Sequence, residues 1–226
     1  MPHQLLVQQN QLIHTGLFSR PLFELWGEGK TILKGLFDAF SPYGASLPDI
    51  RVQSPVGGPA DQVVTVNIGL KGIHSFKIDR VEFTFFNYTE DFFPSIAKIL
   101  ESSARWIRGA VPSFKFASHQ FVYSSHSQLK ASTAEEVLKA ISRIGLKSGG
   151  VDGGTGVIFH WTVPQRNWTT QLVLDHSVVV AGGLFMMFSL TVTADVVDYV
   201  SLASDGRSYF NALLDELGLE FSQPTV

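Results

Sequence analysis

Apolar residues recur at every second position in several stretches of this chain, and this alternation limits its fold more than any other feature. Val64, Val66, Ile68 and Leu70 alternate with Thr65, Asn67 and Gly69. Successive side chains of a strand point to opposite faces, so the pattern predicts a strand buried on one side. Phe76 and Ile78 alternate in one phase, and Val81, Phe83 and Phe85 in the other. The slip at Asp79 and Arg80 predicts a bulge that restores the facing. Further on, Met186, Phe188, Leu190 and Val192 alternate with Met187, Ser189, Thr191 and Thr193. This run lies in a stretch, 176–194, that lacks Asp, Glu, Lys and Arg and is long enough to cross a membrane. The alternation, together with Gly182 and Gly183, predicts a strand, a turn and a second strand instead.

Stripes with helical spacing separate the strands. Ile32, Leu33, Leu36, Phe37 and Phe40 share one helical face, which Pro42 and Gly44 end. Phe92, Ile96, Ile99, Leu100 and Ile107 make a second stripe, opened by Thr89 with Glu90 and Asp91 in the first turn. Thr133 and Glu136 have capping-box spacing ahead of Val137, Leu138, Ile141 and Ile144, with Gly145 as the stop. A last stripe runs from Val196 to Leu217, opened at Thr193 to Asp195, interrupted at Asp205 and Gly206 and followed by Gly218. Shorter strands are expected at 22–26, 50–52 and 114–123, and a hairpin at 157–163 and 170–174 around residues 164–167. Residues 55–59 and 147–156 are loops by composition, and a turn falls near Lys71 and Gly72.

The two halves share a grammar. Ile32 to Lys34 matches Val137 to Lys139, and Thr89 to Asp91 matches Thr193 to Asp195, at separations of 105 and 104 residues. Two matches at nearly one period predict an internal duplication. The expected fold is α+β: a strand–helix–antiparallel strands–helix unit written twice, with pseudo-twofold symmetry and helices packed on an antiparallel sheet. The repeats would be residues 1–112 and 113–226, or one fused domain with a continuous sheet.

Composition narrows the function classes. Of the 226 residues, 45% are hydrophobic, eighteen are Phe and only 16% are charged, which predicts a large core and apolar surface for a partner, an apolar ligand or a second copy to cover. A net charge of −3 with scattered basic residues does not suit nucleic acid. The absence of cysteine removes disulfides, thiol catalysis and thiolate metal sites. Residues 1–11 carry no cationic segment with a long apolar run behind it, so they do not read as a signal peptide, and the cytoplasm is the default location. Asn87 and Asn167 match glycosylation acceptors, and are read as chance matches.

The leading functional reading is a non-enzymatic module that binds a protein partner or an apolar ligand, with a homodimer among the possible partners. Phe85 and Phe86 are adjacent, as are Met186 and Met187, so one of each pair must look away from the first core. Phe86, Tyr88 and Met187 are therefore the candidate contact residues. The first alternative is a nucleotide- or phosphate-binding enzyme using Gly27, Gly29, Lys30 and Thr31. Glu24 stands where the full phosphate-loop pattern needs glycine. The second is a metal-dependent hydrolase, which needs several of the seven histidines or acids to converge. No two histidines have the one-turn spacing of a zinc protease, so no metal or cofactor is assigned. Glu24, Glu28, Asp79, Glu82 and Asp175 are general acid or base candidates. Most of the histidines are expected in surface or hydrogen-bonded structural roles.

Overall fold

The computed structural model describes residues 2–27, 29–53, 61–69, 72–142 and 156–222. Among them the chain forms β1 (His3–Phe18), α1 (Phe23–Trp26), α2 (Gly29–Phe40), β2 (Ile50–Gln53), β3 (Val63–Ile68), β4 (Gly72–Phe76), β5 (Arg80–Phe86) and α3 (Phe93–Ala110). There follow β6 (Phe116–Leu129), α4 (Ala134–Ser142), β7 (Val157–Val163), β8 (Trp168–His176), β9 (Leu184–Val192), α5 (Tyr199–Glu216) and β10 (Leu219–Phe221). The strands lie in one antiparallel sheet in the order β2-β3-β4-β5-β1-β6-β9-β8-β7. β10 joins β1 in parallel, with His3 opposite Leu219. The expected loops at 55–59 and 147–155, Leu70, Lys71, Ile144, Gly145 and Glu28 lie outside the described residues.

Two compact units share the chain. One comprises Leu12–Phe121 and Thr191–Ala203; the other comprises Met1–Gln11, Val122–Leu190 and Ser204–Val226. In the first, Val64, Val66, Ile68, Phe76, Val81, Phe83 and Phe85 are buried on one side of β3, β4 and β5. Ile32, Leu36 and Phe40 of α2 and Ile96, Ile99, Leu100 and Ile107 of α3 are buried too, as the helical stripes predict. Each such side chain taken from water contributes roughly 1.5–3 kcal/mol, so these rows carry much of the unit's stability. Trp106 of α3 packs edge-on against Phe76, with ring centroids 5.2 Å apart. Its indole also lies on Gly35, where a Cβ would come within 1.7 Å of Nε1.

In the second unit, β7 and β8 form the expected hairpin, with Val157 opposite Leu174 and Val163 opposite Trp168. A 3-10 turn at Pro164–Arg166 closes it, and Asn167 takes the left-handed conformation there at φ 53°. Within 176–194 only the second expected strand forms, as β9 from Leu184. β8 ends at His176, and residues 177–183 are bends and turns with Gly182 at φ 66°, the Ser177 hydroxyl accepting the N–H groups of Val179 and Val180. No helix among the described residues is long and apolar enough to cross a membrane. The capping box of α4 is formed: the Thr133 N–H donates to Glu136 Oε2 at 2.8 Å, and the Glu136 N–H donates to Thr133 Oγ1 at 3.3 Å.

Four further local expectations are corrected. Residues 23–26 are a helical turn rather than a strand, because Arg20 and Glu24 pair one turn apart at 2.6 Å and the Leu22 carbonyl accepts from Leu25 and Trp26. The phase slip at Asp79 and Arg80 is a tight turn between β4 and β5 rather than a bulge; the Lys77 N–H donates to the Arg80 carbonyl, and Phe76 pairs with Val81. The last helix begins at Tyr199, after Asp198 rather than at Thr193, since the Asp198 carboxylate accepts the Ser201 N–H at 2.8 Å. It runs unbroken through Asp205 and Gly206, where a Cβ on Gly206 would lie 3.2 Å from Leu190 Cδ2.

Gly35 offers a test of the α2–α3 packing. Alanine inside a helix gains about 1 kcal/mol over glycine, whereas overpacking a filled site costs roughly 1–3 kcal/mol. With a contact of 1.7 Å the clash wins. Gly35→Ala should lower unfolding stability in urea by ~1–2 kcal/mol. In a Trp106→Ala background the same substitution should become stabilising.

Candidate interaction surface

The register of β4 and β5 sorts their side chains between two faces. Gly72 pairs with Phe85 and His74 with Phe83, all buried beneath the helices; Ile73 pairs with Thr84. Thr84 and Phe86 fall on the same side of β5 as Ile73 does on β4. Phe85 is 0% exposed and Phe86 41%, and Ile73 is 39% exposed. Leu17 of β1 is 43% exposed between buried Gly16 and Phe18. Helices α2 and α3 pack only on the buried side of these strands among the contacts described: Phe40 meets His74, Trp106 meets Phe76, and Phe92, just before α3, meets Phe85. The opposite face therefore presents apolar side chains to solvent. Asn87, at φ 45°, turns the chain after Phe86, and Tyr88 follows, half-buried.

In the other unit the same split occurs on β9. Met186 is buried against the core and Met187 is half-buried on the alternate face. Phe185 shares that face with Met187 and lies against the His126 ring at 5.0 Å. The structure thus places Phe86 and Tyr88 in one unit and Met187 in the other.

The phosphate candidates have a different setting from the one their pattern implies. Gly27 caps α1 in the right-handed region at φ −71°, Gly29 opens α2, and Lys30 is exposed. The preceding segment is a helical turn, whereas a phosphate loop follows a strand. Thr31 borders a groove of about 370 Å³ between α2 and α3, beside Lys34, Asp38 and Trp106.

The acid candidates among the described residues, Glu24, Asp79, Glu82 and Asp175, are engaged in local contacts. Glu24 pairs with Arg20, and hydrogen bonding from that guanidinium holds its carboxyl below the usual range. Glu82 accepts from Lys77 and Arg80, both at 2.7 Å, and Arg80 also reaches Asp79 at 3.0 Å. These contacts outweigh partial burial and lower the Glu82 carboxyl. Asp175 accepts the N–H of His176. No group of three or more His, Asp or Glu among the described residues is arranged to hold a metal ion.

Three histidines take the hydrogen-bonded structural role rather than the surface one: His14, His74 and His119 are buried in the core of the first unit. His14 Nε2 and His119 Nδ1 are 3.1 Å apart, and Tyr199 stands edge-on to both rings, at 5.9 and 5.4 Å. His74 reaches Ser103 Oγ at 3.4 Å and lies against Phe83, 4.4 Å between ring centroids. His14 Nδ1, His74 Nδ1 and His119 Nε2 have no hydrogen-bond partner. Burial pushes His74 down to about 3. Burial also lowers His119, to about 4, with Asp195 opposing and Arg108 adding to the shift. His14 falls well below the ordinary imidazole value through burial and through its neighbours His119 and His74. All three are neutral core members at pH 7. A sequence signal for one of them existed: His74 is in phase with buried Phe76, two residues on. His3, by contrast, bonds Ser132 and His126 bonds Ser177, both at 2.9 Å.

In comparisons with known proteins, no family model matches the chain, and no curated protein matches it at a significant level.

The buried imidazoles predict acid sensitivity. Below pH 6.5 the unfolded chain binds protons that the folded core refuses, so stability falls as pH falls toward the folded values of about 4 and about 3. Each such imidazole contributes a slope of up to ~1.4 kcal/mol per pH unit. Urea unfolding at pH 7.5 and 5.5, a window above most carboxylate titration, should show this loss. His74→Leu should make it shallower; an unchanged slope would count against the assignment.

Proposed function

We propose that this chain is a non-enzymatic interaction module that holds a protein partner on the open face of its sheet. The observation that carries the reading is the division of Phe85 and Phe86. One is sealed in the core and the other stands out on the opposite face, in line with Ile73 and near the end of its strand. Exposed aromatic and aliphatic side chains on a strand face suit a protein surface better than a small molecule, which takes a concave site. Tyr88 at the adjoining turn adds an amphipathic contact of the kind enriched at interfaces. Met187, on the equivalent alternate face of β9, is a second and separate contact residue.

The same reading includes the internal duplication. Each half of the chain runs through a long strand, a helix, antiparallel strands and a long helix. His14 and His119, which meet in the core, are 105 residues apart, the separation that also relates Ile32 to Val137. A partner with two similar binding segments would suit such a chain.

Site-specific photo-crosslinking in the native host tests the proposal. A photoreactive phenylalanine analogue at position 86 or 73 should yield a discrete protein adduct, and the same analogue at Lys34, on the helical side, should not. Burying a large apolar side chain contributes ~1.5–3 kcal/mol, so Phe86→Asp should reduce adduct formation from position 73 by about tenfold or more. Equal labelling from positions 34 and 86, or none from either sheet position, overturns the reading.

A further inference from the structure

We infer that β7 is a self-pairing edge, joining the β7 strand of a second copy in antiparallel fashion about His160. This inference concerns another surface and stands apart from the open-face reading. β7 is the last strand on its side of the sheet, and among the described residues it pairs only with β8. A terminal strand carries a row of outward N–H and C=O groups, which natural proteins guard with charge, proline, a bulge or short length. β7 has none of these. It is seven residues long, pairs with β8 in unbroken register and contains no charged residue and no proline.

Its sequence is nearly palindromic in character, which favours a second copy over an unrelated strand. Valine stands at both ends, 157 and 163; Phe159 and Trp161 flank His160; Ile158 and Thr162 are both β-branched. Antiparallel pairing about His160 sets Val157 against the copy's Val163, Phe159 against its Trp161, and Ile158 against its Thr162. Every such pair is apolar, aromatic or β-branched, the classes that stabilise cross-strand neighbours. The side chains also divide correctly. Val157, Phe159, Trp161 and Val163 lie on the helix-bearing face and are only half-buried, although the Trp161 indole donates to the Tyr209 hydroxyl of α5. A twofold axis through His160, perpendicular to the sheet, keeps both copies' helix-bearing faces on one side, so each half-buried row is completed by the other. Ile158, 58% exposed, gains a neighbour on the outer face.

The absence of cysteine makes the test direct, since any introduced thiol is unique. Directly opposed residues in an antiparallel pair have Cα atoms about 4.5–5.5 Å apart, within disulfide range. His160→Cys should therefore oxidise readily to a covalent dimer. Thr162→Cys should not, because it would lie about 14 Å along the strand from its own copy. In sedimentation at high micromolar concentration the unmodified protein should run at twice the 24.9 kDa chain mass. Ile158→Lys with Thr162→Lys opposes lysines across the axis at exposed positions, and should weaken dimerisation at least about tenfold while leaving thermal unfolding of the monomer intact. A monomeric wild type, a dimer indifferent to the lysine pair, or equal cross-linking through positions 160 and 162 overturns the inference.

Discussion

Each unit has helices on one face of its strands, and the remaining features follow from that asymmetry. A strand alternates its side chains whatever their identity, so covering one face with helices buries every second residue and exposes the rest. Where the sequence alternates strictly, as in β3, the arrangement is satisfied: Val64, Val66 and Ile68 go inward, and Thr65 and Asn67 outward. Where two large apolar residues are adjacent, it cannot be. Phe86 and Met187 are the residue left over once Phe85 and Met186 have taken the core, and a chain that keeps apolar groups there must either tolerate them or cover them.

The inner face holds its own tension. His14, His74 and His119 occupy positions that the pleat reserves for apolar residues, and each retains a ring nitrogen without a partner. An unpaired buried polar group costs roughly 1–3 kcal/mol, so three of them are a substantial charge against the core. Aromatic packing offsets part of it. The rings of Phe83, Phe121, Phe116 and Tyr199 surround the imidazoles at centroid distances of 4.4–6.0 Å. The neutral imidazole behaves here as a small aromatic with one hydrogen bond to spend. Arg108 and Asp195, joined at 2.7 Å, lie at the edge of this cluster; Asp195 also accepts the Phe116 N–H, tying the strand that carries His119 to the charge pair.

What was legible in the sequence was periodicity, and what was not was context. β3, β7, β8 and β9, and helices α2, α3 and α4, carry patterns strong enough to override local noise. β1 does not: its first half is rich in glutamine, at Gln4, Gln8, Gln9 and Gln11, and its strand character comes from β10, β5 and β6 beside it. Residues 22–26 form an apolar run too short to tell strand from helix; the Leu22 carbonyl, accepting from the Leu25 and Trp26 N–H groups, marks it as a helical turn. The turn at Asp79 looked like a bulge because both produce a phase change; only the pairing of Phe76 with Val81 separates them. Among the contact residues, adjacency showed that one of Phe85 and Phe86 had to face away, and the phase of Val81 and Phe83 chose Phe86; the register of β4 with β5 agrees. For the histidines, residue type indicated a structural role, and strand phase is what separates buried His74 from the surface.

The two ends of the sheet make the contrast between guarded and unguarded edges concrete. β2 has four residues, with Arg51 exposed at its centre, so it offers a template that is short and charged. β7 has seven residues and no charge, and its row on the helix side is only half-buried. Guarding an edge against pairing takes little: one lysine on the outer face is enough, and exposed position 158 or 162 would accept it without touching the core. Burial does not explain the unguarded state of β7, since Ile158, His160 and Thr162 are exposed. Assembly does, because a strand that pairs with its own copy must remain free of the charge that would repel it. Folding physics accounts for the row facing the helices, and a physical account of the outward row requires a neighbour.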